Sequence, residues 1–190
     1  MIRVAVIGDI GSGKSHIAKL FGYPVFNADN EVDKIYKKHK KSYKKLRKTM
    51  PQYIFSFPIK KEEILKAIID NINNLKKIVK IIHPEVRLRM NKFIRKNKKE
   101  KIIVLDIPLF LENRLNKKSD ILIFVDAKKK DIDKKLKKRI HFNARLIKKF
   151  KKIQLPLKIK KNSCDFVIKN NFNNTFIKKN VKLITRDILK

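Results

Sequence analysis

The chain has 190 residues, of which 43% are hydrophobic, enough for one packed domain and too many for wholesale disorder. A single cysteine, Cys164, excludes an intrachain disulfide and points to a reducing, cytoplasmic setting. The formal charge of +34 invites nucleic acid as a partner, but Lys (42), Ile (29) and Asn (16) together make 87 of the 190 residues, a bias spread along the whole chain. Spread in this way, the lysines form a solvated basic surface that attracts polyphosphates nonspecifically and gives no specific nucleic-acid face.

In chain order, Ile2–Ile7 predicts a strand interrupted only by Arg3, too brief for a signal peptide. Glycines follow, then an amphipathic helix over Lys14–Phe21. Pro24–Asn27 reads as a short second strand. A long helical region from Glu31 to Lys99 comes next, with apolar residues recurring at three and four (Ile64, Leu65, Ile68, Ile69, Ile72). Ile102–Asp106 and Ile121–Asp126 are continuous apolar runs of the kind parallel sheets bury on both faces. The longest apolar stretch, residues 101–111, is split by Asp106 and Pro108 and is too short to span a bilayer. Asp165–Lys169 is the last strand, and Phe172–Leu189 a closing helix. The alternation predicts an α/β fold, a five-stranded parallel sheet flanked by helices. The lysine-rich tracts Lys37–Lys48 and Lys128–Lys138 read as exposed helix.

Gly8-Asp9-Ile10-Gly11-Ser12-Gly13-Lys14-Ser15 fits G-x-x-x-x-G-K-[ST], the P-loop, directly after a strand and directly before a helix. Glycines let backbone N–H groups close around a β-phosphate, and the helix N-terminus adds its dipole. Lys14 reaches the β/γ-phosphates and Ser15 offers its hydroxyl to Mg²⁺. This chain's own composition gives roughly one chance match per thousand such sequences. Gly11, Ser12, Gly13, Lys14 and Ser15 are therefore the candidate nucleotide-binding residues, with a nucleoside triphosphate and Mg²⁺ as the expected ligands. No N/T-K-x-D guanine signature follows a late strand, so a GTPase is disfavoured. A short chain with a helical insert and a basic segment after the fourth strand suits a kinase with a closing lid.

Further motifs resemble dephospho-coenzyme A kinases nearly end to end: the P-loop, Pro24-Val-Phe-Asn-Ala-Asp29, Ile82-His-Pro-Glu-Val86, Pro108-Leu-Phe-Leu-Glu112, Val125-Asp126, Gln154-x-Pro156-x-x-x-Lys160 and Asp165-Phe-Val-Ile-x-Asn170. The resemblance implies a single P-loop kinase domain, with core 1–30 and 100–190, a helical acceptor-binding insert at about 31–99 and a lid at about 134–156. It implies ATP-dependent phosphorylation of the ribose 3′-hydroxyl of dephospho-CoA, the last step of coenzyme A synthesis. Two alternatives stay open: another small-molecule P-loop kinase, or a basic nucleic-acid-binding ATPase. The chain is read as a monomer that self-associates weakly at most, with small-molecule substrates and no membrane partner.

The resemblance also implies roles. Asp29 would accept the proton of the attacking hydroxyl, its alternative being an N-cap for a helix beginning near Glu31. His83 and Pro84 fall inside a helical pattern, where proline forces a kink; His83 would shape the acceptor pocket or be structural. Asp106 would order Mg²⁺ through water, or bond the P-loop. Pro108 and Glu112 would face the acceptor, with helix capping as the alternative for Glu112. Arg139 and Arg145 lie in the lid, where arginine would neutralise charge on the transferred phosphoryl group. Asn170 would lie on the adenine side, or be an αL turn residue. Cys164 reads as small filler. Asn27, His16 and Lys135 stand where the family has Asp, Thr and Arg.

Overall fold

The computed structural model describes residues 1–138 and 143–190. In chain order the elements are β1 (Ile2–Gly8), α1 (Lys14–Leu20), β2 (Val25–Asn27), α2 (Ala28–Lys38), α3 (Lys40–Thr49), α4 (Lys61–Asp70), α5 (Asn73–Lys96), β3 (Ile102–Asp106), β4 (Asp120–Ala127), α6 (Lys129–Lys137), α7 (Ala144–Lys152), α8 (Leu157–Asn162), β5 (Phe166–Asn170) and α9 (Asn174–Ile188). They form two compact units, one of residues 1–27 with 97–190 and one of residues 28–96.

In the first unit the described residues build a five-stranded sheet of order β2-β3-β1-β4-β5, parallel throughout. The β-branched runs explain the centre. Val4 lies opposite Val104 on one side and Ile121 on the other. Every residue of β3 is buried, because a parallel sheet is covered on both faces. Ile17 and Ala18 of α1 and Ile177 and Val181 of α9 join these strands in one core, each buried Ile or Val side chain contributing about 1.5–3 kcal/mol. Arg3, the one charge in β1, sits in register with Asp120 and pairs with it at 2.9 Å.

Because all strands run the same way, Gly8, Asn27, Asp106, Ala127 and Asn170 end them along one edge. The chain leaves β1 for β2 on one side of the sheet, whereas from β3 it crosses β1 to reach β4 on the other, so the winding reverses between β1 and β3. Open α/β sheets bind ligands at such a switch point, beyond the carboxyl ends of the strands.

The second unit consists of α2–α5. Here the helix after β2 starts at Ala28, not near Glu31, because no loop intervenes. Asp29 is the second residue of α2 and not its cap; with Glu31 it places negative charge in the first turn, which the helix dipole favours. His39 separates α2 from α3, its Nδ1 2.8 Å from Ser42 Oγ. The 24-residue α5 continues through Pro84. One lost backbone donor does not end a helix whose Ile78, Ile82 and Met90 are buried.

Candidate active site

The loop from Gly8 to Ser15 connects β1 to α1 at the sheet's carboxyl edge. Gly13, with φ +93, caps α1 in the left-handed region, and a Cβ there would lie 2.4 Å from Asn170 Nδ2. Gly11, with φ +83, would bring a Cβ within 2.8 Å of the Leu136 side chain. Glycine is thus required twice, by backbone conformation and by space. Lys14 Nζ donates to the carbonyls of Gly8 (3.2 Å) and Asp9 (2.7 Å), which holds the ammonium over the loop. Ser12 is fully buried and its Oγ has no protein partner among the described residues. Ser15 and His16 are exposed at the start of α1; the His16 Nε2 lies 2.6 Å from Asn174 Oδ1, which ties α1 to α9.

One strand end, that of β5, braces this loop, and that of β3 bonds its neighbour β2. Asn170 is buried at the end of β5, donates from Nδ2 to the Ser12 carbonyl at 2.7 Å and accepts from Phe172 N at 2.8 Å. The αL residue is therefore Phe172 (φ 60), two positions beyond Asn170. Asp106 is buried at the end of β3, and its Oδ2 accepts from the Asn27 amide across the register pair Asn27–Asp106. Its partner here is thus the neighbouring strand end. The natural reason is that the asparagine supplies a donor directly opposite. No group of three or more His, Cys, Asp or Glu suited to a metal exists among the described residues. Hard oxygen donors at Ser15 and Asp106 suit Mg²⁺ that arrives with phosphate ligands of its own, as this ion commonly does.

The other sequence candidates in this unit separate. Pro108 is exposed in the loop after β3, followed by Leu109 at φ 55. Glu112 accepts from Leu155 N at 3.0 Å and pairs with Lys160 Nζ at 2.6 Å, where Lys160 is buried. Its own segment contains turns and no helix, and its carboxylate reaches the residues at the start of α8 (Leu157–Asn162). Arg145 is exposed in the first turn of α7, and Arg139 lies outside the described residues. Cys164 is half-buried and donates to the Lys160 carbonyl at 3.1 Å; burial, with Asp165 nearby, pushes its thiol up to about 12, as suits an inert filler.

Sequence reasoning missed Asp9 and Lys151. The Lys151 Nζ lies 3.5 Å from Asp9 Oδ2. Both line a cleft of about 510 Å³ with Asp126, Lys129, Gln154 and Pro156. Among 42 lysines nothing local distinguishes Lys151. Lys160 belongs to the Gln154-x-Pro156-x-x-x-Lys160 motif, but only the fold pairs it with Glu112.

In the helical unit, Asp29 is exposed in α2. Close by in sequence, Glu31 bonds Lys34 (2.6 Å) and Arg89 (3.2 Å), and Arg89 also bonds Glu85 (3.0 Å). Burial alone would raise the Glu31 carboxyl; the bonds and charges of Lys34 and Arg89 outweigh it and hold the group below its usual range. His83 is half-buried in α5, and burial, then the Arg87 charge, lowers its pKa.

A glycine-lined loop carrying a lysine at a parallel switch point describes P-loop kinases in general. The dephospho-CoA kinase family model matches residues 2–175. The chain belongs to the dephospho-CoA kinase family. Its activity is accordingly ATP-dependent phosphorylation of dephospho-CoA, within coenzyme A biosynthesis. The dephospho-CoA kinase of Wolbachia sp. subsp. Brugia malayi is 32% identical over 184 residues, 94% of each chain. That of Zymomonas mobilis is 25% identical over 193 residues, 97% of this chain and 95% of its own. Among solved structures, a Thermus thermophilus protein superposes with a TM-score of 0.77 at 20% identity, covering 98% of this chain and 97% of its own. The Campylobacter jejuni dephospho-CoA kinase does so at 0.63 and 21%, covering 98% and 96%. These two likenesses establish the fold, a P-loop kinase architecture. No helix among the described residues of this kinase is long and apolar enough to cross a membrane.

Proposed function

We propose that the kinase transfers the γ-phosphoryl group of ATP to the ribose 3′-hydroxyl of dephospho-CoA, in the cytoplasm and as a monomer. The observation that carries the reading is the loop itself: Lys14 held on the Gly8 and Asp9 carbonyls, with Gly11 and Gly13 leaving no room for side chains. Gly11–Ser15 would bind the phosphates and Lys14 would follow charge onto the γ-phosphate. Asn170 would keep the loop in shape from below, and His16 would border the nucleotide. Ser15 and Asp106, the latter through water, would hold Mg²⁺, which supplies charge neutralisation on the phosphates when bound.

Asp29 would take the proton of the attacking hydroxyl, since the chain turns from the sheet edge at Asn27 into α2 two residues before it. Residues of about 31–99, His83 among them, would receive the acceptor, with Pro108 and Glu112 shaping the loop after β3. Glu112 would act there as a positioning residue, because its carboxylate holds Lys160. Residues of about 134–156 would close as a lid, bringing Arg139 and Arg145 to the transferred group and excluding water. Positioning and electrostatics then carry the reaction.

The deciding experiment is a coupled ADP-release assay with Mg·ATP and dephospho-CoA, adenosine, AMP or no acceptor. ADP release only with dephospho-CoA, with 3′-phosphorylated product by mass and NMR, is the expected result. Equal release without acceptor, or preference for adenosine or AMP, would overturn the reading of the acceptor.

A further inference from the structure

The loop residue Asp9 lies between two cations from different helices. Its carbonyl accepts from Lys14 Nζ of α1 at 2.7 Å. Its carboxylate accepts from Ile10 N at 2.7 Å and faces Lys151 Nζ of α7 at 3.5 Å. The Lys151 side chain is 36% exposed and that of Asp9 14%, so the pair sits at the mouth of the cleft that both line. An ion pair so placed contributes only about 0–1 kcal/mol and exchanges readily for a better anion. A triphosphate is a better anion: it carries several charges and many acceptor oxygens, and charge-assisted bonds to it are strong.

We propose that Lys151 is a second phosphate-directed cation of the ATP site, held beside the loop by Asp9 and transferred from that carboxylate to the nucleotide phosphates on binding. The proposal rests on the loop being the ATP site. It makes Asp9 a competitor of ATP for Lys151, and not a helper. The two members of one ion pair should therefore act on ATP affinity with opposite signs. A pair that merely braced α7 against the loop would give the same sign for both.

The experiment is calorimetric titration of the full chain with Mg·ATP and with AMP. Lys151→Gln should weaken ATP binding about tenfold, the scale of one charge-assisted bond, and AMP binding by less than about twofold, which also reports that the variant is folded. Lys151→Arg should keep wild-type affinity. Asp9→Asn, which retains an acceptor for Ile10 N, should bind ATP as tightly as the wild type or more tightly. ATP affinity of Lys151→Gln within about twofold of wild type would overturn the proposal. So would equal weakening of ATP and AMP, or parallel weakening in Lys151→Gln and Asp9→Asn. A wild-type chain that failed to bind ATP would instead remove the reading of the loop itself.

Discussion

In the sheet unit, Arg3, Asp106, Asp120, Lys160 and Asn170 are all buried and paired, and two of them, Asp106 and Asn170, end strands at the edge that carries the phosphate loop. In the helical unit, residues 28–96, the buried polar side chains are Ser42, Glu63 and Asn74. They close turns: Asn74 bonds the Ala67 carbonyl, and Glu63 accepts from Phe55 N and Ser56 Oγ. Charged groups there, such as Glu31, Glu85 and Arg89, keep contact with water. The contrast teaches that the sheet unit buries its paired charges, with Asn170 bonded to the loop that must hold one shape, whereas the helical unit keeps its charges wet. A satisfied buried network rigidifies, whereas half-exposed pairs contribute little to stability. Substitutions in the sheet unit should therefore cost stability, and those in the helical unit should change rate or pH response.

The largest test is Glu112→Ala. It strands the Lys160 ammonium, whose side chain is 3% exposed, and should destabilise the protein by about 3–5 kcal/mol. The melting temperature should fall by about 10 °C. Adding Lys160→Met should recover most of the loss, and a cost for Glu112→Ala below about 1 kcal/mol would break the contrast. Next comes Asp29→Asn, expected to cut turnover at least about a hundredfold, or about 2.7 kcal/mol, with melting temperature and ATP affinity nearly unchanged. Near-normal turnover would remove Asp29 from the mechanism.

A smaller effect belongs to Asn170→Ala, which releases the Ser12 carbonyl and should cost about 1–2 kcal/mol in denaturant unfolding while raising the KM for ATP. Unchanged stability and KM would deny Asn170 its brace role. The smallest concerns His83, whose pKa is lowered from 6.5. Just below pH 6.5 the unfolded chain binds more protons at this site than the native one, so stability falls as pH drops through that value. The loss levels off below the folded pKa, where both states are protonated. His83→Asn should flatten this part of the stability profile between pH 7 and 5, and an unaltered slope would assign it to other groups.

Strand and helix order was legible because apolar runs such as Ile102–Leu105 and the glycine spacing of residues 8–15 are local statements about burial and backbone freedom. Boundaries shifted where a tertiary neighbour intervened. α2 starts at Ala28 because β2 hands its chain straight to the helix, and β5 extends to Asn170 because its partner strand runs to Ala127. Family resemblance alone marks Asn170 and Glu112 as ligand-side residues. Their observed partners, Ser12 and Lys160, are 158 and 48 positions away, and no spacing rule reaches that far.

By itself the sequence determined the phosphate chemistry. Three glycines, a lysine and a serine within eight residues specify a loop conformation and a cation through steric freedom and charge alone. Only the tertiary structure decided which of 42 lysines matter. A lysine acquires a role from the anion packed against it, and only the folded chain brings Asp9 and Glu112 to Lys151 and Lys160.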